Sequence, residues 1–183
     1  KKGVNFVSGI KSCITVPDDL KDGLFMAEEY ISGQEYSIES ISFNDRHDII
    51  QITEKVTTGA PHFVEIGHRQ PALLEPEMFK KIERILYKAF AAMKIEYGAV
   101  HPEFRIASDG KIYFMEIATR MGGDCIGTDL TPLSSGYDFM GMVINICCGK
   151  VPDFTKVGKP KIAEIHYIMC QEDLIKFENL KKE

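Results

Sequence analysis

The Asp109-Gly110 pair, standing between two runs of alternating apolar and polar residues, restricts the fold of this chain more than any other feature. Ala99 to Ile106 and Lys111 to Ile117 read as strands, and Asp-Gly is a preferred two-residue type I′ turn, so the two runs are expected to pair antiparallel in a fixed register. That register sets Ser108 opposite Lys111, Ala107 opposite Ile112, Arg105 opposite Phe114 and Glu103 opposite Glu116. Both glutamates then lie on one side of the sheet, with their Cβ atoms about 4.5 to 5.5 Å apart. Two unit charges about 5 Å apart repel by roughly 3 kcal/mol at an effective dielectric near 20. A cation, a shared proton or a nearby arginine relieves such a clash. Oxygen ligands with no cysteine or histidine cluster beside them favour Mg²⁺ or Mn²⁺. The plainer alternatives are solvated glutamates splayed apart or paired with Arg105, or a register slipped by one residue. Beyond Glu116 the strand runs through Ile117-Ala118-Thr119 to Arg120, Met121, Gly122, Gly123 and Asp124. The glycines permit close backbone approach, and the Arg120 fork suits a phosphate or a carboxylate. An ordinary turn would use the same glycines.

The rest of the chain supplies more antiparallel strands and two helices. Glu35 to Phe43 and Ile49 to Lys55 alternate on either side of turn chemistry at Asn44 to Asp48, which predicts a hairpin with one buried face. Before it, Val4, Phe6 and Val7 suggest a short strand, Pro17 to Gly23 reads as turns, and Phe25 to Tyr30 reads as a strand bending at Ser32-Gly33. Residues 56 to 74 carry Gly59, Pro61, Gly67 and Pro71 without steady periodicity and are expected to form a functional loop. From Pro76 to Lys94 the apolar positions recur at three and four, predicting a helix with Pro76 in its first turn. Tyr137 to Cys148 reads as a second helix ending at Gly149, and Ile162 to Met169 as a last strand. The expected class is α+β: an antiparallel sheet with helices 76–94 and about 137–149 on one face and the site on the other.

Composition narrows the function. The 183 residues allow one domain or two small lobes. With 44% hydrophobic and 27% charged residues the chain is neither disordered nor a disulfide scaffold. A net charge of −5 with no basic tract and no tryptophan argues against a nucleic-acid platform. The longest apolar run, Phe139 to Cys148, falls short of the roughly 20 residues of a membrane span. Five cysteines, including adjacent Cys147 and Cys148, are the usage of a reducing cytoplasm, where the chain is expected to reside.

Several segments, in order, resemble the C-terminal part of the ATP-grasp fold over roughly residues 24 to 150. They are Ala27-Glu28-Glu29-Tyr30-Ile31 with Gly33-Gln34-Glu35, His101-Pro102-Glu103-Phe104, and Phe114-Met115-Glu116-Ile117-Ala118-Thr119-Arg120-Met121-Gly122-Gly123-Asp124. Thr53-Glu54-Lys55 and the Pro61 to His68 segment are similar to the carboxylate–amine ligase branch, of the L-amino-acid ligase or bacilysin-synthetase type. The resemblance implies ATP and Mg²⁺ (or Mn²⁺) as cofactors and an activity that joins a small carboxylate to an amine, amino acids among them, through an acyl phosphate. It implies an adenine hinge at Glu28, Glu29, Tyr30 and Ile31, ribose hydroxyls on Glu35, and a phosphate contact at Lys55. Glu103 and Glu116 would hold the metal ions, with Glu65 as a further metal or amine contact. Arg120 would hold acyl-phosphate oxygens, and His68 the phosphoryl group or the tetrahedral intermediate. Residues 1–23 would be a remnant of the first ATP-grasp subdomain and 24–183 the C-terminal subdomain, so the chain is expected to be an incomplete catalytic fragment, inactive alone. Ligases of this type are often homodimers. The alternatives are an enzyme like carbamoyl-phosphate synthase or biotin carboxylase, which activates bicarbonate, and a non-catalytic nucleotide-binding module.

Overall fold

In the computed structural model, which describes residues 28–59 and 62–181, six strands form one antiparallel sheet. They are β1 (Gly33–Phe43), β2 (Arg46–Thr57), β3 (Glu65–Gln70), β4 (Tyr97–Ala107), β5 (Ile112–Ala118) and β6 (Ala163–His166), in the spatial order β5-β4-β1-β2-β3-β6. β1 and β2 are joined by a two-residue turn in which Asn44 and Asp45 both have positive φ, the type I′ geometry whose twist suits a hairpin. β2 therefore starts at Arg46, three residues before the alternating run suggested. The early strand and turns expected in residues 1–27 lie outside the described residues. Glu28 to Tyr30, expected to continue a strand, have no strand pairing, and the segment leads through Ser32 into β1.

The long helix α1 (Pro76–Met93) begins with proline in its first turn and stops where Lys94 adopts the left-handed conformation, its N–H reaching the carbonyls of Ala91 and Phe90. Its stripe of Ile82, Leu86 and Phe90 is buried against Ile38, Ile52, Val100 and Phe104. Side chains alternate along a strand, so Ser37, Glu39, Thr53, His101 and Glu103 face the opposite way. On that second face a π-helical turn (Ile126–Leu130) leads into α2 (Thr131–Ser135) and α3 (Phe139–Cys147). Phe139 and Met142 of α3 pack on Ile41, Ile50 and Ala99. The α+β class holds, and α1 and the site lie on opposite faces as expected. α3 does not join α1 but covers the far end of the site's own face, because Ala99 and Ile41 alternate with Val100 and Ser40. A shift in pairing between Glu39 and Ser40 adds Ile50 to that second cluster.

The segment 56–74, expected to be a loop, contains strand β3. Glu54 to Thr57 pair with Arg69 to Glu65, and β3 carries β6 on its outer edge. The last strand is shorter than predicted, and a helix not anticipated, α4 (Gln171–Leu180), follows it. Gln70, fully buried at the end of β3, fastens α2 to the sheet. Its amide donates to Thr53 Oγ1 at 2.7 Å and Thr131 Oγ1 at 3.1 Å, and Ser134 Oγ donates to its oxygen at 2.6 Å.

The β4–β5 hairpin corrects the predicted register in part. Ala107 rather than Ser108 closes the turn, its N–H donating to the Lys111 carbonyl, so Ser108, Asp109 and Gly110 form a three-residue loop with Gly110 at φ 73°. Arg105 accordingly faces Tyr113 rather than Phe114, and Ile106 rather than Ala107 faces Ile112. A bulge between Glu103 and Phe104 then restores the expected offset, and Glu103 pairs with Glu116.

Candidate active site

Two adjoining cavities open on the face away from α1, and Lys55 lines both. The first, of about 220 Å³, is walled by Tyr30, Gly33, Gln34, Glu35, Lys55, Phe63 and Arg105. The second, of about 190 Å³, is walled by Lys55, Glu65, His101, Glu103, Glu116, Arg120, Gly123, Asp124 and Ile126.

In the first cavity Arg105 organises the wall. Its Nε and Nη2 donate to Glu35 Oε2 at 3.1 and 2.7 Å, and its Nη1 donates to the Ile31 carbonyl at 2.8 Å. The guanidinium also lies over the rings of Tyr30 and Phe63, which meet at 5.3 Å. Arg105 is therefore committed to Glu35, and the pairing of the two opposed glutamates with Arg105 does not form. Glu28 and Glu29 are exposed and stand outside both cavity walls.

Lys55 is buried where three carboxylates converge: its Nζ lies 2.8 Å from Glu103 Oε1, 3.3 Å from Glu65 Oε1 and 3.7 Å from Glu35 Oε1. Burial would lower its pKa, but the hydrogen bond to Glu103 and the three negative charges outweigh it and raise the pKa. The ammonium thus stays charged and links the two cavities. Glu103 also faces His101, whose Nε2 is 3.4 Å from the same Oε1. Those hydrogen bonds and charges overcome burial and hold the Glu103 carboxyl down at about 2. His101 is shifted the other way. Burial opposes its charge, but Glu103 and Glu39, the latter 2.5 Å from Nδ1, raise it to about 9.

Glu116, across from Glu103 on the neighbouring strand, is exposed and forms no ion pair among the described residues. The nearest approaches of Lys55 and His101 to Glu103 are both to Oε1. Two opposed glutamates on one cavity wall, the second without an ion pair among the described residues, fit a hard divalent cation such as Mg²⁺ or Mn²⁺. Arg120 is exposed on the wall of this cavity and donates to the Met121 carbonyl at 2.8 Å, leaving most of its fork available.

His68, expected in an exposed loop, is instead a buried strand residue opposite Lys55. Both ring nitrogens lack hydrogen-bond partners, and burial lowers its pKa, so the ring is neutral near pH 7. Its Nε2 lies 3.7 Å from Glu65 Oε2, and ligand atoms of Glu65, His68 and Asp124 all lie within 4.8 Å of one another. The structure therefore brings Tyr30, Glu35 and Lys55 together in one cavity and Lys55, Glu65, Glu103, Glu116 and Arg120 in the next, with His68 behind Glu65. Sequence reasoning gave no role to Glu39, His101 or Asp124. Glu35, Ser37 and Glu39 share a strand face, as do His101 and Glu103, and that alternation was the available signal.

This arrangement has counterparts among known proteins. A family model described as the ATP-grasp domain matches residues 12–129. The alanine–anticapsin ligase of Bacillus subtilis is 25% identical over 166 residues, which cover 83% of this chain and 34% of that protein. The crystal structure of an L-amino acid ligase from Bacillus licheniformis superposes with a TM-score of 0.67 at 28% identity, over 78% of this chain and 37% of the ligase. A biotin carboxylase from Campylobacter jejuni, solved with β-γ-ATP, shares the fold at a TM-score of 0.60 and 19% identity, over 75% of this chain and 30% of the carboxylase. The chain thus spans about a third of the length of these relatives. Among the described residues no helix is long and apolar enough to cross a membrane. With its antiparallel sheet, its two adjoining cavities and a family match over most of its length, the chain belongs to the ATP-grasp family.

Proposed function

We propose that the protein of which this chain forms the metal-bearing lobe is an ATP- and Mg²⁺-dependent carboxylate–amine ligase that acts on amino acids through an acyl phosphate. The observation that carries the reading is the second cavity, where two opposed glutamates share a wall with Arg120 and the Lys55 ammonium. Its support in sequence is the similarity to an alanine–anticapsin ligase and an L-amino acid ligase. The biotin carboxylase likeness, at 19% identity, concerns the fold alone.

On this reading the first cavity takes the nucleoside, with the extended Glu28 to Ile31 segment beside the base, the Tyr30 and Phe63 rings against it and Glu35 toward the ribose. Lys55 faces the phosphates from below. Glu103 and Glu116, with Glu65 as a further contact, hold Mg²⁺, which when bound neutralises phosphate charge. The substrate carboxylate oxygen attacks the γ-phosphorus, the bond to the β-phosphate oxygen breaks and ADP leaves. The amine nitrogen then attacks the acyl carbon, phosphate departs and the nitrogen loses a proton. Arg120 stabilises the phosphoryl oxygens in both steps, and on this reading neutral His68, whose Nε2 lies 3.7 Å from Glu65 Oε2, hydrogen-bonds the tetrahedral intermediate. The chain's task is positioning and charge stabilisation.

The test is ADP release by the full-length protein with Mg²⁺, ATP and pools of amino acids, beside Glu116→Gln and Arg120→Ala. Amino-acid-dependent release that is lost in both variants supports the reading. Release that needs bicarbonate alone overturns it in favour of bicarbonate activation, and nucleotide binding without release in favour of a binding module.

A further inference from the structure

Glu39 is the most deeply buried carboxylate of the site face, and the proposed chemistry gives it no role. Both of its oxygens accept from the Gly122 N–H at 3.1 Å, and Oε1 also faces His101 Nδ1 at 2.5 Å. The other ring nitrogen of His101 approaches Glu103 Oε1. Three segments far apart in sequence thus meet on one carboxylate: mid-β1, the part of β4 that bears Glu103, and the turn that bears Arg120 and Asp124. The fit leaves no slack, since a Cβ on Gly122 would collide with the Glu39 carboxylate and lie 2.8 Å from the His101 ring. Two residues along the same strands this face is closed by Ile41 and Ala99, so hydrocarbon packing is available here, and a buried charged pair is the costlier way to fill the space.

The pair also bears on Glu103, a wall residue of the second cavity. His101 and Lys55 both make their nearest approach to its Oε1, so the carboxylate is held from the interior side. Resting on the ligase reading above, we propose that Glu39 and His101 are positioning residues. They fix the Glu103 carboxylate and the Arg120 turn in one frame, so that cation and phosphoryl group are held at a set separation.

The experiment uses the full-length protein and its Glu39→Gln and His101→Gln variants, with Arg120→Ala and Glu116→Gln for comparison. Mn²⁺ alone is titrated by water-proton relaxation, hydrogen exchange is followed in residues 120–124 of the metal-free protein, and kcat and KM for ATP are measured separately. Loss of partners that orient a metal ligand typically weakens metal binding about 10- to 100-fold. That loss is expected in both positioning variants but not in Arg120→Ala, with faster exchange in residues 120–124, a fall in kcat and an ATP KM within about twofold of wild type. Folded variants with wild-type Mn²⁺ affinity and exchange overturn the inference. So does failure of both variants to melt cooperatively, which makes the pair a core element only, or absence of Mn²⁺ binding in the wild type. Mn²⁺ bound by the wild type and lost in Glu116→Gln, with no ADP released for any amino acid, sinks the ligase reading while the inference stands on its binding and exchange data.

Discussion

On β4, Val100 and Phe104 are buried against α1 while His101 and Glu103 turn to the other side, and β1 divides in the same way between Ile38 and its neighbours Ser37 and Glu39. One interior is hydrocarbon and the other a lattice of charges. Two histidines show the contrast. His47 packs against the rings of Phe90 and Tyr87 on the α1 side, and burial lowers its pKa. His101, flanked by Glu39 and Glu103, is raised to about 9. The α1 face stabilises the sheet through removal of apolar surface from water, whereas the site face holds the charges of Lys55, His101 and Glu103 because each has a partner. Damage to the first should be read in stability, and damage to the second in stability only where a partner is stranded.

The largest expected effect is on the hydrocarbon side. Phe90→Ala removes a fully buried ring from the α1 cluster and should cost about 3–5 kcal/mol in denaturant unfolding. A loss under about 1 kcal/mol would mean that α1 contributes little to holding the sheet. Lys55→Met comes next, since it removes the ammonium shared by Glu35, Glu65 and Glu103, leaving Glu35 to Arg105 and Glu103 to His101, and breaking buried pairs typically costs about 3 kcal/mol. The same measurement at pH 4 should show a smaller deficit, because Glu103, without the ammonium that helps to hold its carboxyl down, takes up a proton more readily. An undiminished deficit at pH 4 would point to lost packing of the lysine stem.

The third prediction concerns pH in metal-free protein. His101 has a folded pKa near 9, above its ordinary 6.5, so its contribution is fully present below 6.5 and is lost as pH rises from there through about 9. Relative to His101→Gln, wild type should lose about 3 kcal/mol of its advantage across that window. Glu103, held at about 2, gives the complementary edge: its contribution is present above the usual carboxylate range and is lost as pH falls toward 2. A flat difference between pH 6 and pH 10 would break the contrast with His47, whose lowered pKa makes its contribution present above 6.5 and lost on acidification. The smallest stability effect belongs to Arg120→Ala. An exposed side chain away from buried partners should change unfolding by less than about 0.5 kcal/mol, while ADP release falls by roughly 100-fold or more if Arg120 stabilises phosphoryl charge.

What could be read from sequence divides along the same lines. The β1–β2 hairpin, α1 and the second hairpin announce themselves by local periodicity and turn residues, because the α1 face needs regularly spaced hydrocarbon. β3 did not, since its six residues include Gly67 and sit between Gly59 and Pro71, so their punctuation reads as a loop. The π-helical turn and α2 are held by Gln70, 61 residues before Thr131 in sequence, and by short polar side chains with no periodic signature. The Glu39–His101 contact spans 62 residues, and a lone glutamate among serines resembles a solvated face until β4 is laid beside it. Glu103 and Glu116 were paired correctly although the turn between them is a residue longer than the Asp-Gly signature implies.

That last agreement has a consequence for how the hairpin tolerates change in length. The extra loop residue and the bulge near Met115 are equal and opposite offsets, and only together do they bring Glu116 round to the side of Glu103. Deleting Met115 would remove the bulge and let Glu116 follow Phe114 in plain alternation, still opposite Glu103, whereas drawing Met115 into the ladder would turn Glu116 toward the α1 side of the sheet. The site is thus specified by a count of residues as well as by their identities: Phe114 and Glu116 face opposite ways because the residue between them is left out of the pairing.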